Sequence, residues 1–346
     1  MPQQDFEQRL ETLREESGRT GQVHGNGAHP VGSPIPIAAR RTAAEVGLNS
    51  KTAYYNQPLL KQPVWTWQIS FYFFFGGLAG MAAVIAAVGG FHGESNLLRT
   101  AMWLAFAGAI LSPILLIWDL GRPWLFLNML RVFKPQSPMS MGVYILTVFG
   151  TFATPGALLI EADVRGLFPY GTFPAEAVHV LGLICATISG LVGLLLATYT
   201  GVLIGATAIP AWFSHHRILP IHFGIVGLGC ASATLQLLGF NRASLVALAI
   251  IASVIESGIL VWLEIRKNGE IDRALHLGIS GWMIRVAGVC SGPLTLIGQI
   301  IGIWFLPAQI IGAALFLAGG LLSRFGWINV GHHSAKNPTA TLAAQK

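Results

Sequence analysis

Charge is what this sequence lacks most. Asp, Glu, Lys and Arg make up 10% of its 346 residues, where soluble domains carry about 25%. A soluble fold of this length cannot cover its surface with so few charges, whereas a chain whose outer solvent is lipid has no such need. Hydrophobic residues accordingly reach 53%, and the mean hydropathy is +0.61. Cysteine is scarce as well. Cys185, Cys230 and Cys290 each sit in an apolar run, and none has CxxC spacing. Neither an iron–sulfur cluster nor a structural zinc site is encoded by such a pattern, and the three read as buried small hydrophobes. The N-terminal region has no apolar core followed by a cleavage site, so it does not read as a secretory signal peptide. The net charge of +6 comes from short basic clusters between apolar runs. Such clusters point to membrane topology and anionic lipids, not to nucleic acid.

Histidine pairs suited to haem are also missing. A membrane cytochrome b grips haem between histidines on facing helices. Only His179 and His222 lie well inside apolar runs, and they open the fourth and fifth runs, on opposite sides of the membrane. His215, His216, His332 and His333 fall in connections or the tail. The expectation is no haem and no metal site.

What is present is a succession of apolar runs. After a polar arm over residues 1–60, in which Phe6, Leu10 and Leu13 allow a short amphipathic helix, runs fall at about 65–90, 97–118, 141–161, 177–208, 219–240, 244–265, 283–303 and 306–326. Each approaches or exceeds the ~20 residues that cross ~30 Å of hydrocarbon as a helix. The fourth is long enough to tilt or project, and only Pro307 separates the last two. These features predict an all-α integral membrane fold of about eight helices in two four-helix bundles. Its domains would be the flexible arm 1–60, a membrane domain 61–331 and a short polar tail 332–346. The 41 glycines suit helices that approach closely in lipid.

With eight spans, one face collects Lys51, Lys61, Arg122, Arg131, Lys134, Arg217, Arg266, Lys267, Arg273, Arg324 and Lys336, and the other little beyond Arg99, Arg165 and Arg242. The positive-inside rule therefore places both termini in the cytoplasm.

Ionisable residues at membrane depth are functional candidates by default. Asp119 closes the second run, and Arg122 follows before Pro123. They make either a local helix-end pair or an acid–base pair in a protected interfacial site. Span alternation brings four helix ends to the same face: Trp65, Trp67, Gln68 and Tyr72; Asp119 and Arg122; Ser140 and Tyr144; Thr198, Tyr199 and Thr200. Aromatic walls with converging hydrogen-bonding groups suit a lipophilic ligand with a polar head, such as a quinone, although aromatic residues at helix ends also serve as interfacial belts. On the opposite face Glu161, Asp163, Glu176 and His179 surround the third connection; His179, expected to be buried, and Glu161 are candidates for the far end of a proton route. Glu256, inside the sixth run, is either a structural hydrogen-bond partner or a second proton-conducting element.

Three segments, "FYFFFGGLAGMAA", "WDLGRPWLFLNMLRVFKPQSPMSMG" and "ATYTGVLIGATAIPAW", make residues from about Trp65 to Gly331 resemble the NrfD/polysulfide reductase membrane-subunit family. The resemblance implies a cofactor-free membrane anchor that reacts with quinone or quinol (menaquinone or ubiquinone). It implies a four-cluster ferredoxin-like iron–sulfur partner, linked in turn to a molybdopterin enzyme or a multihaem cytochrome, in the bacterial inner membrane. Tyr199 matches the family's quinone-contacting tyrosine, and Asp119 matches the acidic residue of its "DLGRP" motif. Where relatives place Asn and His at the start of the first span, this chain has Trp67 and Gln68, with Gln68 as the substitute hydrogen-bond donor. Familiar members carry the quinone pocket and iron–sulfur partner on the periplasmic face, whereas the charge count puts the corresponding end here in the cytoplasm. Either the partner is cytoplasmic or partner contacts override the charge rule. A proton-coupled secondary transporter and a structural anchor without a quinone site are the alternatives; paired broken helices in the two halves would favour transport.

Overall fold

The structure, a computed structural model, describes residue 60 and residues 65–120, 124–266, 269, 271–276 and 278–344. All belong to the unit Pro58–Lys346. The expected N-terminal arm, apart from Leu60, lies outside the described residues, as do Arg122 and the cations Lys51, Lys61 and Lys267.

Eight helices among the described residues are long and apolar enough to cross a membrane. They are α1 (Trp67–Phe91), α2 (Ser95–Asp119), α3 (Pro138–Val164), α4 (Phe173–Gly205), α5 (Ile218–Leu237), α6 (Ala243–Ile265), α7 (Gly278–Ile301) and α8 (Leu306–Lys336). Local chemistry sets their limits. The Ser137 side chain accepts the Ser140 N–H at 3.5 Å, and Pro138 occupies the first turn, where its missing N–H costs nothing. α1 stops where Gly93 adopts φ +74°, so that the Glu94 N–H reaches back to the Gly89 carbonyl at 2.9 Å. The last two runs separate over Gly302–Phe305, with Pro307 in the first turn of α8.

The α1–α4 helices form one bundle, in which α1 packs on α2 and α4 while α3 packs on α2 and α4. The other four close a second ring, with α5 on α6 and α8, and α7 on both α6 and α8. The two expected bundles are therefore present, joined by α5 against α1 and α4 and by α8 against α1. This makes α1 and α5 the central helices: 61% and 67% of their apolar windows are buried, against 33–39% for the other six. Large side chains such as Ile114 on α2 and Leu191 on α4 point outward instead, as lipid requires. At the α1–α4 crossing Gly80 faces Gly193, and a Cβ on either would strike the other's backbone. Only paired glycines permit that approach.

Three sequence expectations change. The eighth run was expected to end near residue 326, but α8 continues to Lys336 and is followed by a short helix, Pro338–Ala344. His332 and His333 are thus helical. Arg324, counted above as a terminal topology charge, is 1% exposed inside the bundle. Finally, α7 is interrupted by a π-helical turn, Cys290–Leu294, where Gly292 takes φ −91°, ψ −106° ahead of Pro293. Pro293 has no N–H to donate to the helix, which favours such a break. Of the cysteines, Cys230 is buried, whereas Cys185 and Cys290 are only partly so; all three are unpaired thiols.

Candidate functional site

At the end of the first bundle a cavity of about 100 Å³ opens between α1, α2, α3 and α4. Its polar groups are Asp119 at the C-terminus of α2, Tyr72 on α1 and Tyr199 on α4, with Trp65 in the wall. Tyr199 is 7% exposed, and its hydroxyl lies against the Gly142 backbone without a well-formed hydrogen bond among the described residues. Its ring lies on Gly142 of α3, where a Cβ would overlap it. The floor is apolar: Ile69, Phe73, Leu116, Val143. Met129 and Met139 border the same space, and flexible thioethers adapt readily to a ligand. A buried phenol, a carboxylate and an aromatic wall around an apolar floor fit a flat ring bearing oxygen at its edge.

Asp119 and Leu120 at the end of α2 form one part of this wall, and Trp212 backs another through Trp65. The Asp119 carboxylate accepts a 2.7 Å hydrogen bond from the Thr66 hydroxyl, which also contacts the Gln68 carboxamide. Gln68 therefore joins the site through Thr66 and does not itself line the cavity. Trp212, in the short helix Pro210–Ser214, stacks on Trp65 at 5.2 Å and donates its indole N–H to the Trp327 carbonyl of α8 at 2.7 Å. It is a fully buried strut between the cavity and the second bundle.

Two expected contacts lie elsewhere. Trp67 is 48% exposed, edge-on to Trp118 at 5.5 Å, in the position of a belt residue. Tyr144 donates its hydroxyl to the Leu130 carbonyl at 2.6 Å and packs on Phe133, so it clamps the short helix Leu125–Arg131 to α3. Ser140 accepts the Lys134 N–H, and Thr200 bonds within its own helix.

On the opposite face, Glu161 accepts two hydrogen bonds from Arg99, one from the Trp103 indole and one from Arg165, all between 2.6 and 2.7 Å. Donors thus surround the carboxylate in a staple between α2 and α3. His179, expected to be buried, is exposed and paired with Asp163 at 2.7 Å. Helix α4 begins at Phe173, so His179 lies in its early, solvent-side turns.

The second bundle holds polar groups that sequence reasoning located only in part. Glu256 is 1% exposed, with an oxygen 3.0 Å from His222 Nδ1, and His222 Nε2 lies 2.8 Å from the Ser323 hydroxyl. His222 of α5 thus links Glu256 of α6 to Ser323 of α8, one ring nitrogen on each. Next to Ser323, Arg324 donates to the Phe223 carbonyl at 2.9 Å and lies 3.8 Å over the Phe223 ring. Its Nε and one Nη have no hydrogen-bond partner among the described residues. The signal for Arg324 was a cation flanked by apolar residues, which was read as a helix end. His215, which the sequence places in a connection, is buried as well. It is 1% exposed, with Nδ1 2.7 Å from the Ala211 carbonyl and Nε2 3.7 Å from Asp272. Burial pushes its pKa below the ordinary histidine value, against the opposing pull of the Ala211 carbonyl and Asp272.

Comparison with known proteins agrees with this architecture. The family described as "Polysulphide reductase, NrfD" matches residues 56–326. Protein NrfD of Escherichia coli (strain K12) is 29% identical over 185 residues, 49% of this chain and 58% of the relative. The NrfD homolog of Haemophilus influenzae is 27% identical over 160 residues, covering 41% and 49% respectively. The matched segment therefore spans about half of each relative's length. With a family match that covers most of the chain and all but the end of its eight-helix core, this multi-pass membrane protein belongs to the NrfD polysulphide reductase family.

Proposed function

We propose that the chain is the quinone/quinol-interacting membrane anchor of a respiratory oxidoreductase complex in a bacterial inner membrane, and that it exchanges electrons with a ferredoxin-like iron–sulfur subunit. The observation that carries this reading is the buried Tyr199 hydroxyl, which makes no well-formed hydrogen bond among the described residues and lines the same cavity as Asp119. A buried hydroxyl without a partner costs about 1–3 kcal/mol, and a ligand oxygen removes that cost. Quinol oxidation releases two protons and two electrons. Asp119, held by Thr66, takes the proton from one quinol oxygen and passes it to bulk water, while the other oxygen, hydrogen-bonded to the Tyr199 hydroxyl, gives its proton to water directly. The isoprenoid tail stays against apolar surface. Electrons leave to the nearest cluster of the iron–sulfur partner, which a molybdopterin enzyme or a multihaem cytochrome connects to the terminal substrate. The same contacts serve quinone reduction when flow reverses. Glu256, His222 and Ser323 offer a separate buried set through which protons can be linked to turnover.

Transport is the weaker reading. Only α7 is interrupted among the described spans, while α2 and α3 run continuously past Pro113 and Pro155. Paired discontinuous helices are therefore missing from the first half. The direct test is quinol-linked electron transfer in the assembled complex. Asp119→Asn should cost about 100-fold as loss of a proton acceptor, and Tyr199→Phe about tenfold as loss of one hydrogen bond, with assembly intact. Wild-type turnover in both variants overturns the assignment.

A further inference from the structure

A second concavity, about 510 Å³, lies where the α4–α5 connection meets the end of α6. One part of its wall is basic, formed by Arg217, Arg266 and His216; the other is apolar, formed by Ile218, Ile221 and Trp262. Arg266 is held in place, its guanidinium 4.9 Å from the centre of the Trp262 ring and 4.0 Å from the buried Asp272. Arg217 is exposed and has no ion-pair partner among the described residues. The first turn of α5 lines the cleft, and a helix N-terminus adds about half a positive charge. Among the described residues no carboxylate lines the cleft; Asp272 lies behind Arg266. Its apolar edge runs outward: Phe213, Ile221 and Ile265 are all more than half exposed, on the belt that lipid must cover.

We propose that this cleft binds the phosphate headgroup of an anionic phospholipid. Arg217 and Arg266 hold the phosphate, Trp262 sits at the level of the ester carbonyls, and the acyl chains run along Ile218 and Ile221. Basic pockets between membrane helices recognise such headgroups through charge, and each arginine near the surface contributes measurably. A free phosphate would leave the apolar edge unused, and a zwitterionic lipid would gain nothing from the uncompensated arginine.

The test uses the full chain, purified and delipidated in detergent. The thermal unfolding midpoint is titrated with phosphatidylglycerol, with phosphatidylcholine of the same acyl chains, and with inorganic phosphate at one fixed pH. Phosphatidylglycerol should raise the midpoint saturably, and the other two probes should not. Arg217→Gln and Arg266→Gln should each weaken the apparent affinity about fivefold. Arg242→Gln, an exposed arginine near Glu94 and outside the cleft, should leave it unchanged. Equal binding of phosphatidylcholine, a matching effect of inorganic phosphate, or an equal loss in Arg242→Gln overturns the proposal. Should Arg266→Gln fail to fold, Arg217→Gln decides alone: unchanged affinity there also overturns it. None of these readouts depends on quinol turnover.

Discussion

At the scale of single residues, burial decides which groups respond to pH. His215 titrates below the ordinary histidine value because water is excluded from it. In the unfolded chain it protonates near pH ~6.5, whereas in the fold protonation is delayed to lower pH. Below ~6.5 the unfolded state binds the extra proton first, so stability declines as pH falls from that value towards the depressed folded one. Thermal unfolding should therefore show a loss between about pH 8 and about pH 5.5, and the loss should be smaller in His215→Gln. Glu256 is a second such position. Glu256→Leu leaves His222 Nδ1 without its partner and should cost about 1–3 kcal/mol, while Glu256→Gln keeps a hydrogen-bonding group and should unfold close to wild type. Asp119 and Glu256 were legible in the sequence because a carboxylate in or beside an apolar run is expensive unless it has a task. His215 and Ser323 were not, since a histidine in a connection and a serine in a helix have ordinary explanations until their neighbours are known.

Glycines carry the argument at the scale of elements. Gly142→Ala places a methyl where the Tyr199 ring lies, so α3 and α4 must separate or the ring must turn. A displacement of about 1 Å at a reacting group costs about 100-fold in turnover; quinol-linked electron transfer should fall by that order while the protein still assembles. Gly80→Val acts on packing instead, forcing α1 from α4, and should lower stability by about 1–3 kcal/mol in a detergent melt. Gly258→Ala, with nothing within 4 Å of the added methyl, is the matched control and should be neutral or stabilising. The eight helices were readable from run length alone, because lipid imposes a minimum apolar length of about 20 residues on each. The π turn in α7 was not. Pro293 marks it, yet Pro113 and Pro155 lie in unbroken helices; Gly292, beside Pro293, packs closely on Ser257 of α6.

For the whole molecule, sidedness follows from an even number of spans with charges at their ends. Among the described residues, removing Arg324 from the count leaves Arg131, Lys134, Arg217, Arg266, Arg273 and Lys336 on the face of the cavity. On the opposite face, Arg99 and Arg165 are paired with Glu161, and Arg242 lies 3.7 Å from Glu94. The bias survives the correction. A green fluorescent reporter fused after Lys346 should fluoresce, and a periplasm-dependent phosphatase at the same point should be inactive. The reverse pattern would show that partner contacts outweigh the positive-inside rule.

What the sequence determined by itself is the medium and the class of fold: low charge, long apolar runs and abundant glycine leave a helical bundle in lipid as the economical solution. The "DLGRP" and "ATYTG" segments also located Asp119 and Tyr199. Only the tertiary structure decided that these two share a cavity with Tyr72 and Trp65 while Trp67 and Tyr144 do not. It also decided that Glu161 is saturated by Arg99, Trp103 and Arg165, and that Arg324 is interior. The physical reason is common to all of these. Helical periodicity limits a side chain to a depth and a face, but which neighbouring helix that face meets depends on close approaches, such as Gly80 on Gly193, that join residues far apart in the chain.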